Sequence, residues 1–461
     1  MSGTLVRVYS KMPVWLQDVA VTLGGLKTRR LKEGRTFWKV LSFLQESDKW
    51  SFAELSNYQD ERVRELVAHA HENVPYYNRL FREKRLHPND IRTVRDLEKL
   101  PILTKREVRR HQDQLLARGW PARRTVIGHT GGTTGTALRL AEDRDTWAWN
   151  WAVIWRFRKR FGIEPGEPYV TFGGRRGVVP LERLSPPFWR RNLVSRQTYV
   201  SVHHMTVQNL KPLVDYLQRR RVAYYTGYPS ALYLLACYLL REKIRLDLPP
   251  KVIITNSESL LPHQRRTIAQ AFGCEVADYY GQTEHCSMMC ECDRHRYHVD
   301  MEFGIVEFLP SEGSSTAGGR IISTGLQNPV MPLIRYDTGD LATLADGPCP
   351  CGRHSPTAVS IDGRIEAVIV TPDGRQLGRL DHLFKGDSKI LEAQFVQENV
   401  ESLTVRIVRD DDYRQKDEDE FLHDLRTFVG DSIKIDFEYV SEIPRGPNAK
   451  FRQVISSVRS T

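Results

Sequence analysis

Tyr224-Tyr225-Thr226-Gly227, then the stretch from Ser230 to Glu242, then Val252-Ile253-Ile254-Thr255 set the frame of this chain. The first and third stretches are short apolar runs bounded by glycine, proline or charge, the pattern of buried strands. Between them, Ala231-Leu232-Tyr233-Leu234-Leu235-Ala236-Cys237-Tyr238-Leu239-Leu240 is the longest apolar candidate. It falls short of the roughly 18 residues that a membrane span requires, so it predicts a buried helix. The alternation continues with a helix over 261–272 and a strand at Val276-Ala277-Asp278-Tyr279-Tyr280. Strand–helix alternation of this kind indicates a mainly parallel α/β sheet. In such sheets ligand-facing loops lie just past the strands, which singles out Ser257 and Glu258; Ser257 could equally serve as a plain helix cap.

Working outward, Val63, Leu66, Val67 and Ala70 recur at helical spacing and predict a helix over 58–73, which Pro75 should end. Residues 1–60, mixed apolar and basic, are read as a helical N-terminal extension. Arg124-Thr125-Val126-Ile127-Gly128 reads as a short strand. From about residue 300 the pattern changes to shorter strands with turns, at 304–308, 319–323 and 342–344. Past Asp362-Gly363-Arg364 the character shifts again, with a strand over 403–408 and an amphipathic helix over 418–429. The expected architecture is a large N-terminal α/β domain, residues 1–363, and a small, mobile C-terminal α+β domain, residues 364–461.

The chain has 461 residues, 40% hydrophobic and 27% charged, with a formal net charge of +10, an ordinary composition for a globular protein. Its cations are spread in small clusters such as Arg109-Arg110 and Arg219-Arg220-Arg221, which read as solvated faces. No zinc-finger, helix-turn-helix or aromatic RNA-binding signature accompanies them, so nucleic acid is not an expected partner. No apolar run is long enough to span a bilayer and no secretory pattern opens the chain, so a cytoplasmic protein is expected. Oligomeric state is not legible.

Seven cysteines are an odd number for a disulfide framework. Cys286, Cys290 and Cys292 crowd together, and Cys349 and Cys351 form a later pair. Cys292, His298, Cys349 and Cys351 supply a four-ligand set suited to a structural Zn²⁺, with no open position for catalysis. Cys286, Cys290 and His295 are the substitutes, and reduced cysteines that bind nothing are the other reading.

His129-Thr130-Gly131-Gly132-Thr133-Thr134-Gly135-Thr136 follows the strand at 124–128. Its glycines let the backbone turn tightly and aim amides at an anion, and its threonine hydroxyls add donors. No Gly-Lys-Ser/Thr ending follows, so it is not a Walker loop. By itself the loop is either an anion-binding turn or a flexible surface turn.

Other stretches in the same order resolve that choice. They are Val74-Pro75-Tyr76-Tyr77, Leu100-Pro101-Ile102-Leu103-Thr104-Lys105, Gly227-Tyr228-Pro229-Ser230 and Ser257-Glu258-Ser259-Leu260. Tyr280-Gly281-Gln282-Thr283-Glu284, Tyr336-Asp337-Thr338-Gly339-Asp340, Gly363-Arg364 and Pro444-Arg445-Gly446-Pro447-Asn448-Ala449-Lys450 follow. In these motifs the chain resembles the adenylate-forming superfamily of acyl-CoA ligases, in its phenylacetate–CoA ligase-like branch, and particularly the subgroup labelled capsular polysaccharide biosynthesis (CapK-like).

That resemblance implies ATP-dependent activation of a small-molecule carboxylic acid to acyl-AMP, then transfer to a thiol, CoA first. A carrier protein or a sugar amine is the alternative acceptor, and a non-catalytic nucleotide-binding protein is the rival class. By the resemblance, Thr130, Gly131, Gly132, Thr133, Thr134, Gly135 and Thr136 would hold the ATP phosphates. Tyr280, Gly281, Gln282 and Thr283, with Ser257 and Glu258, would border the nucleotide, and Glu284 would help hold Mg²⁺. Asp340 would accept hydrogen bonds from the ribose hydroxyls, with Arg364 beside it. Glu366 stands at a hinge position where relatives carry Asp or Lys. Lys450 resembles the lysine that enters the site for adenylation, although Ala449 replaces the usual preceding glycine.

Overall fold

Five parallel strands occupy the middle of a twelve-stranded sheet: Glu275–Gly281, Val252–Asn256, Tyr224–Gly227, Tyr169–Gly173 and Gln197–Ser201, in that order. In this computed structural model the described residues are 8–121, 125–129, 138–175, 177–310, 318–364, 369–372, 376–377, 389–445 and 451–458. Trp189–Asn192 closes one edge antiparallel. On the other side the sheet continues through antiparallel strands from Met288–Glu291 to Gly304–Pro310. The mainly parallel sheet and the shorter strands beyond residue 300 are thus two halves of one layer.

Local chemistry sets the element ends. The helix Phe52–Asn73 starts earlier than its apolar spacing suggests, because Ser51 and Glu54 form a reciprocal capping box. Val74 leaves helical geometry before Pro75, which then opens the next helix, Pro75–Lys84. Proline also starts the helices Pro229–Arg241 and Pro262–Phe272, and Gly273, at φ +64°, ends the second. The apolar segment around Ala231–Leu240 is a core helix: Leu232, Leu235 and Ala236 have no exposed surface.

The N-terminal helices are packed into this body. Phe37, Val40, Leu41 and Leu44 of the helix Arg35–Ser47 share a core with Ala148, Ala152 and Val153 of the helix Arg144–Lys159. Arg156 donates to Glu302 at 2.7 Å and to Asp300 at 2.6 Å, all three buried, so a desolvated ion cluster ties the helix to the connection between the strands Tyr297–Val299 and Gly304–Pro310. Gln59 Nε2 donates to the carbonyls of Met301 and Gly304 at 2.9 and 3.2 Å.

The C-terminal residues form a separate four-stranded sheet in the order Lys434–Tyr439, Ser402–Arg409, Ile390–Asn399, Val454–Ser456. Phe421, Leu425 and Val429 of the helix Gln415–Val429 pack on Phe395, Val405 and Ile407 of that sheet. This α+β unit has its own apolar core. Among the described residues no helix is long and apolar enough to cross a membrane.

Candidate active site

A cleft of about 1780 Å³ opens past the carboxyl ends of the parallel strands, the place where open α/β sheets bind ligands. Close backbone approach builds its floor. At Gly227, with φ +154°, a Cβ would lie 2.1 Å from the Phe172 carbonyl oxygen, so only glycine fits there. Asn256 Nδ2 donates to Thr226 Oγ1 at 3.1 Å, tying neighbouring strand ends together. Ser257 then adopts a left-handed φ of +70°, a strain of about 1–3 kcal/mol for a non-glycine residue that surrounding structure must hold in place. Ser257 is not a helix cap, since the following helix starts at Pro262 and its cap is Leu261.

Glu258 joins the two sheets. Its Oε2 accepts the Ser230 amide at 3.1 Å, and its Oε1 accepts the Phe451 amide at 2.6 Å. Burial raises its pKa, while these donors and Arg445 pull the other way. Phe451, Arg452 and Gln453 thereby line the cleft with the loops of the large sheet.

Opposite, the Tyr280 hydroxyl donates to Asp340 Oδ2 at 2.8 Å, and Gln282 Nε2 donates to Tyr280 Oη at 3.3 Å and to Ser287 Oγ at 3.0 Å. Burial, then the Asp340 charge, pushes the Tyr280 pKa upward, which keeps its hydroxyl a donor. Glu284 is buried and accepts from the Tyr336 hydroxyl at 2.7 Å. Strand register sets Asp340 opposite Arg364. Ser257, Glu258, Tyr280, Gly281, Gln282, Thr283, Glu284 and Asp340 therefore meet in one cleft. Thr130 to Thr136, Glu366 and Lys450, and the side chain of Arg364, lie outside the described residues.

Lys105 also lines the cleft, a residue quoted in a motif above without a role. Thr104 caps its helix, Leu103 pairs with Tyr336, and Lys105 Nζ donates to the Thr338 carbonyl at 2.7 Å. The motif spacing was the available signal, because it places a lysine at a helix start. Its partner lies 233 positions away and could not be read from spacing. Phe172 to Arg175 and Thr226 to Tyr228 also line the cleft. Tyr224 and Tyr225 are fully buried.

The cysteines sort themselves by position. Cys292 follows the first strand of the hairpin Met288–Glu291 and Tyr297–Val299, His298 lies in its second strand, and Cys349 and Cys351 lie in the loop before Thr357–Arg364. The sheet brings the two halves together, with all four ligand atoms within 4.8 Å of one another. Zn–S bonds of about 2.3 Å and Zn–N of about 2.0 Å in a tetrahedron would set ligand atoms roughly 3.5–3.8 Å apart. Cys292 Sγ and Cys349 Sγ are 3.6 Å apart, and Cys351 Sγ and His298 Nε2 are 3.3 Å apart. Ser355 Oγ lies 3.2 Å from His298 Nδ1 and orients the ring. Burial, reinforced by Arg353 and Arg160, lowers the His298 pKa to about 3, so the imidazole is neutral as a ligand must be. Cys286 instead packs in the core near Glu284, Cys290 sits beside Asp300, and His295 is exposed beside Glu291.

The sheet order, the cleft at its switch to antiparallel pairing and the separate C-terminal unit define the fold of adenylate-forming CoA ligases. A 2-hydroxyisobutyryl-CoA ligase crystal structure in the postadenylation state superposes with a TM-score of 0.71, at 18% identity, covering 90% of this chain and 92% of that one. Residues 369–457 match the CapK C-terminal domain family. Protein CapK of Staphylococcus aureus is 24% identical over 98% of this chain and 99% of its own length. The phenylacetate-coenzyme A ligase of Aromatoleum evansii is 26% identical over 85% of this chain and 92% of its own. The chain is thus similar along most of its length to CapK and to phenylacetate–coenzyme A ligase, the likeness that its motifs indicate.

Proposed function

We propose that the chain is an AMP-forming acid–thiol ligase. The observation that carries this reading is the Glu258–Phe451 hydrogen bond at 2.6 Å, which pins the residue following Lys450 inside the cleft that holds Tyr280, Glu284 and Asp340.

In the first step an oxygen of the substrate carboxylate attacks the α-phosphorus of ATP, the bond to the β-phosphate breaks, and pyrophosphate leaves. Thr130 to Thr136 grip the phosphates with amides and hydroxyls, and Asp340, oriented by Tyr280, accepts from the ribose hydroxyls. Ser257, Glu258, Tyr280, Gly281, Gln282 and Thr283 shape the nucleotide pocket. Glu284 would help hold Mg²⁺, a hard cation that would offset phosphate charge. Lys450 stabilises charge building between carboxylate and α-phosphate. In the second step a thiolate attacks the acyl carbon and AMP leaves. The similarity to a phenylacetate–CoA ligase over most of the chain favours CoA as that thiol. The boundary at 363/364 and a hinge at Glu366 let residues 364–461 rotate between steps, excluding water from the acyl-adenylate.

Zn²⁺ in the Cys292, His298, Cys349 and Cys351 cluster would fasten the antiparallel half of the sheet and, with four protein ligands, take no part in the chemistry. The test of the main reading is acid-dependent exchange of pyrophosphate into ATP. Exchange with at least one acid supports it, and no exchange across a broad acid panel refutes it. CoA, carrier-protein and amine acceptors assayed in parallel then identify the second substrate.

A further inference from the structure

The cleft extends past the nucleotide end, beneath the helix Val14–Lys32, to a chamber that the reactions above leave without a purpose. Its centre is Arg158, 3% exposed. The guanidinium carbon lies 4.8, 5.0 and 4.9 Å from the ring centroids of Trp151, Trp155 and Tyr224. Lys32 Nζ lies 3.9 Å from the ring centroid of Trp151, so two cations share one aromatic wall.

Charge and donors in this chamber exceed the acceptors. Arg158 Nε and Nη1 and the Tyr224 hydroxyl are buried without a hydrogen-bond partner among the described residues. Buried cations are normally paired with an anion. Glu33 is the carboxylate that acts on Lys32, and it is already engaged by Arg29 at 2.9 Å, while Arg175 adds further positive charge. Cation–π contacts of about 0.5–2 kcal/mol each stabilise the charges, but they supply no oxygen to the N–H donors. Burial and the Arg175 and Arg158 charges lower the Lys32 pKa to about 8. An incoming anion would relieve all three conditions at once.

We propose that this chamber receives the far end of the substrate acid, and that the acid carries a second, acceptor-only anionic group there, held by Arg158 and Lys32. The substrate class is therefore a carboxylic acid with a remote anionic group. This inference rests on the acid-activating function proposed above and adds which acids the enzyme takes. A carboxylate and a phosphate or phosphonate share the recognising chemistry, and the assay separates them.

Pyrophosphate exchange is measured with linear dicarboxylates of graded length, their monomethyl esters and the matching phosphonocarboxylates. The free-ended acid should exceed its monoester in kcat/KM at least tenfold at the best length. Whichever anion gives the larger value names the group. Arg158→Met should lower that preference at least tenfold with the KM for ATP within twofold, and Arg158→Lys should restore part of it. If Arg158→Met fails to fold, Lys32→Met, at a side chain partly open to the cleft, carries the same comparison with a smaller loss. Equal exchange of monoesters and free-ended acids, or an unchanged preference in the variants, overturns the inference while leaving the ligase reading intact. If no acid supports exchange, the ligase reading fails instead. Calorimetric titration of the full chain with the dicarboxylates then decides: binding that Arg158→Met weakens at least tenfold supports the chamber, and no binding refutes it.

Discussion

Replacing Glu258 by glutamine tests how the two sheets cooperate. The carboxylate accepts two backbone amides, from Ser230 beside the large sheet at 3.1 Å and from Phe451 at 2.6 Å. Glutamine has one acceptor oxygen, so one amide keeps its partner and the other meets an NH₂ donor. A hydrogen bond to a charged group contributes about 1.5–3 kcal/mol, roughly a 10- to 150-fold change in an equilibrium at 1.36 kcal/mol per decade. The lost contact is the one that can move away, that of Phe451. Glu258→Gln should therefore slow acid-dependent pyrophosphate exchange about 10- to 100-fold, within that same hydrogen-bond range. Thioester formation from preformed acyl-AMP should stay within threefold, because that half-reaction does not need the Phe451 latch. Burial raises the Glu258 pKa, so exchange should climb with pH above the ordinary carboxylate range as the acceptor ionises. The variant should lack that limb. Equal loss in both half-reactions, or no loss in either, refutes the latch.

Four further outcomes follow from the geometry. Tyr280→Phe removes the donor to Asp340 and should raise the KM for ATP at least tenfold, at about 1.5–3 kcal/mol for one hydrogen bond to a charged group, while the KM for the acid stays within twofold. Chelation, or Cys351→Ser, should release stoichiometric zinc by metal analysis and lower Tm by several degrees, with kcat preserved below the transition. Lys32, with a pKa lowered to about 8, loses its proton as pH climbs through that value, and with it the charge that would hold an anion. The KM for a free-ended diacid should therefore rise as pH climbs through 8, while that for its monoester should not. Gly227→Ala sets a Cβ 2.1 Å from the Phe172 carbonyl oxygen, and overpacking against backbone should cost about 3 kcal/mol or leave the protein insoluble, read by urea unfolding.

Much of the fold was legible locally. Apolar runs flanked by proline and glycine mark Tyr224–Gly227, Val252–Asn256 and the helix between them within a residue or two, because strand and helix periods are properties of neighbouring residues. Apolar spacing alone starts the helix Phe52–Asn73 late, because a capping box outweighs that spacing there. The single twelve-stranded layer was not legible, since nothing local says that strands beyond residue 300 pair edge to edge with the parallel set.

The site divides in the same way. The sequence by itself determined the residue types and their order: the Gly/Thr loop, Glu284, Asp340, Lys450 and four zinc-type ligands. Only the tertiary structure decided which of them touch. Cys292 meets Cys349 across 57 positions, Tyr280 meets Asp340 across 60, and Glu258 meets Phe451 across 193. It also decided that Lys32 and Arg158 share one aromatic chamber, although spacing marks neither. The reason is physical: periodicity and capping act over one or two turns of chain, whereas a binding site is made where strand ends from distant segments converge.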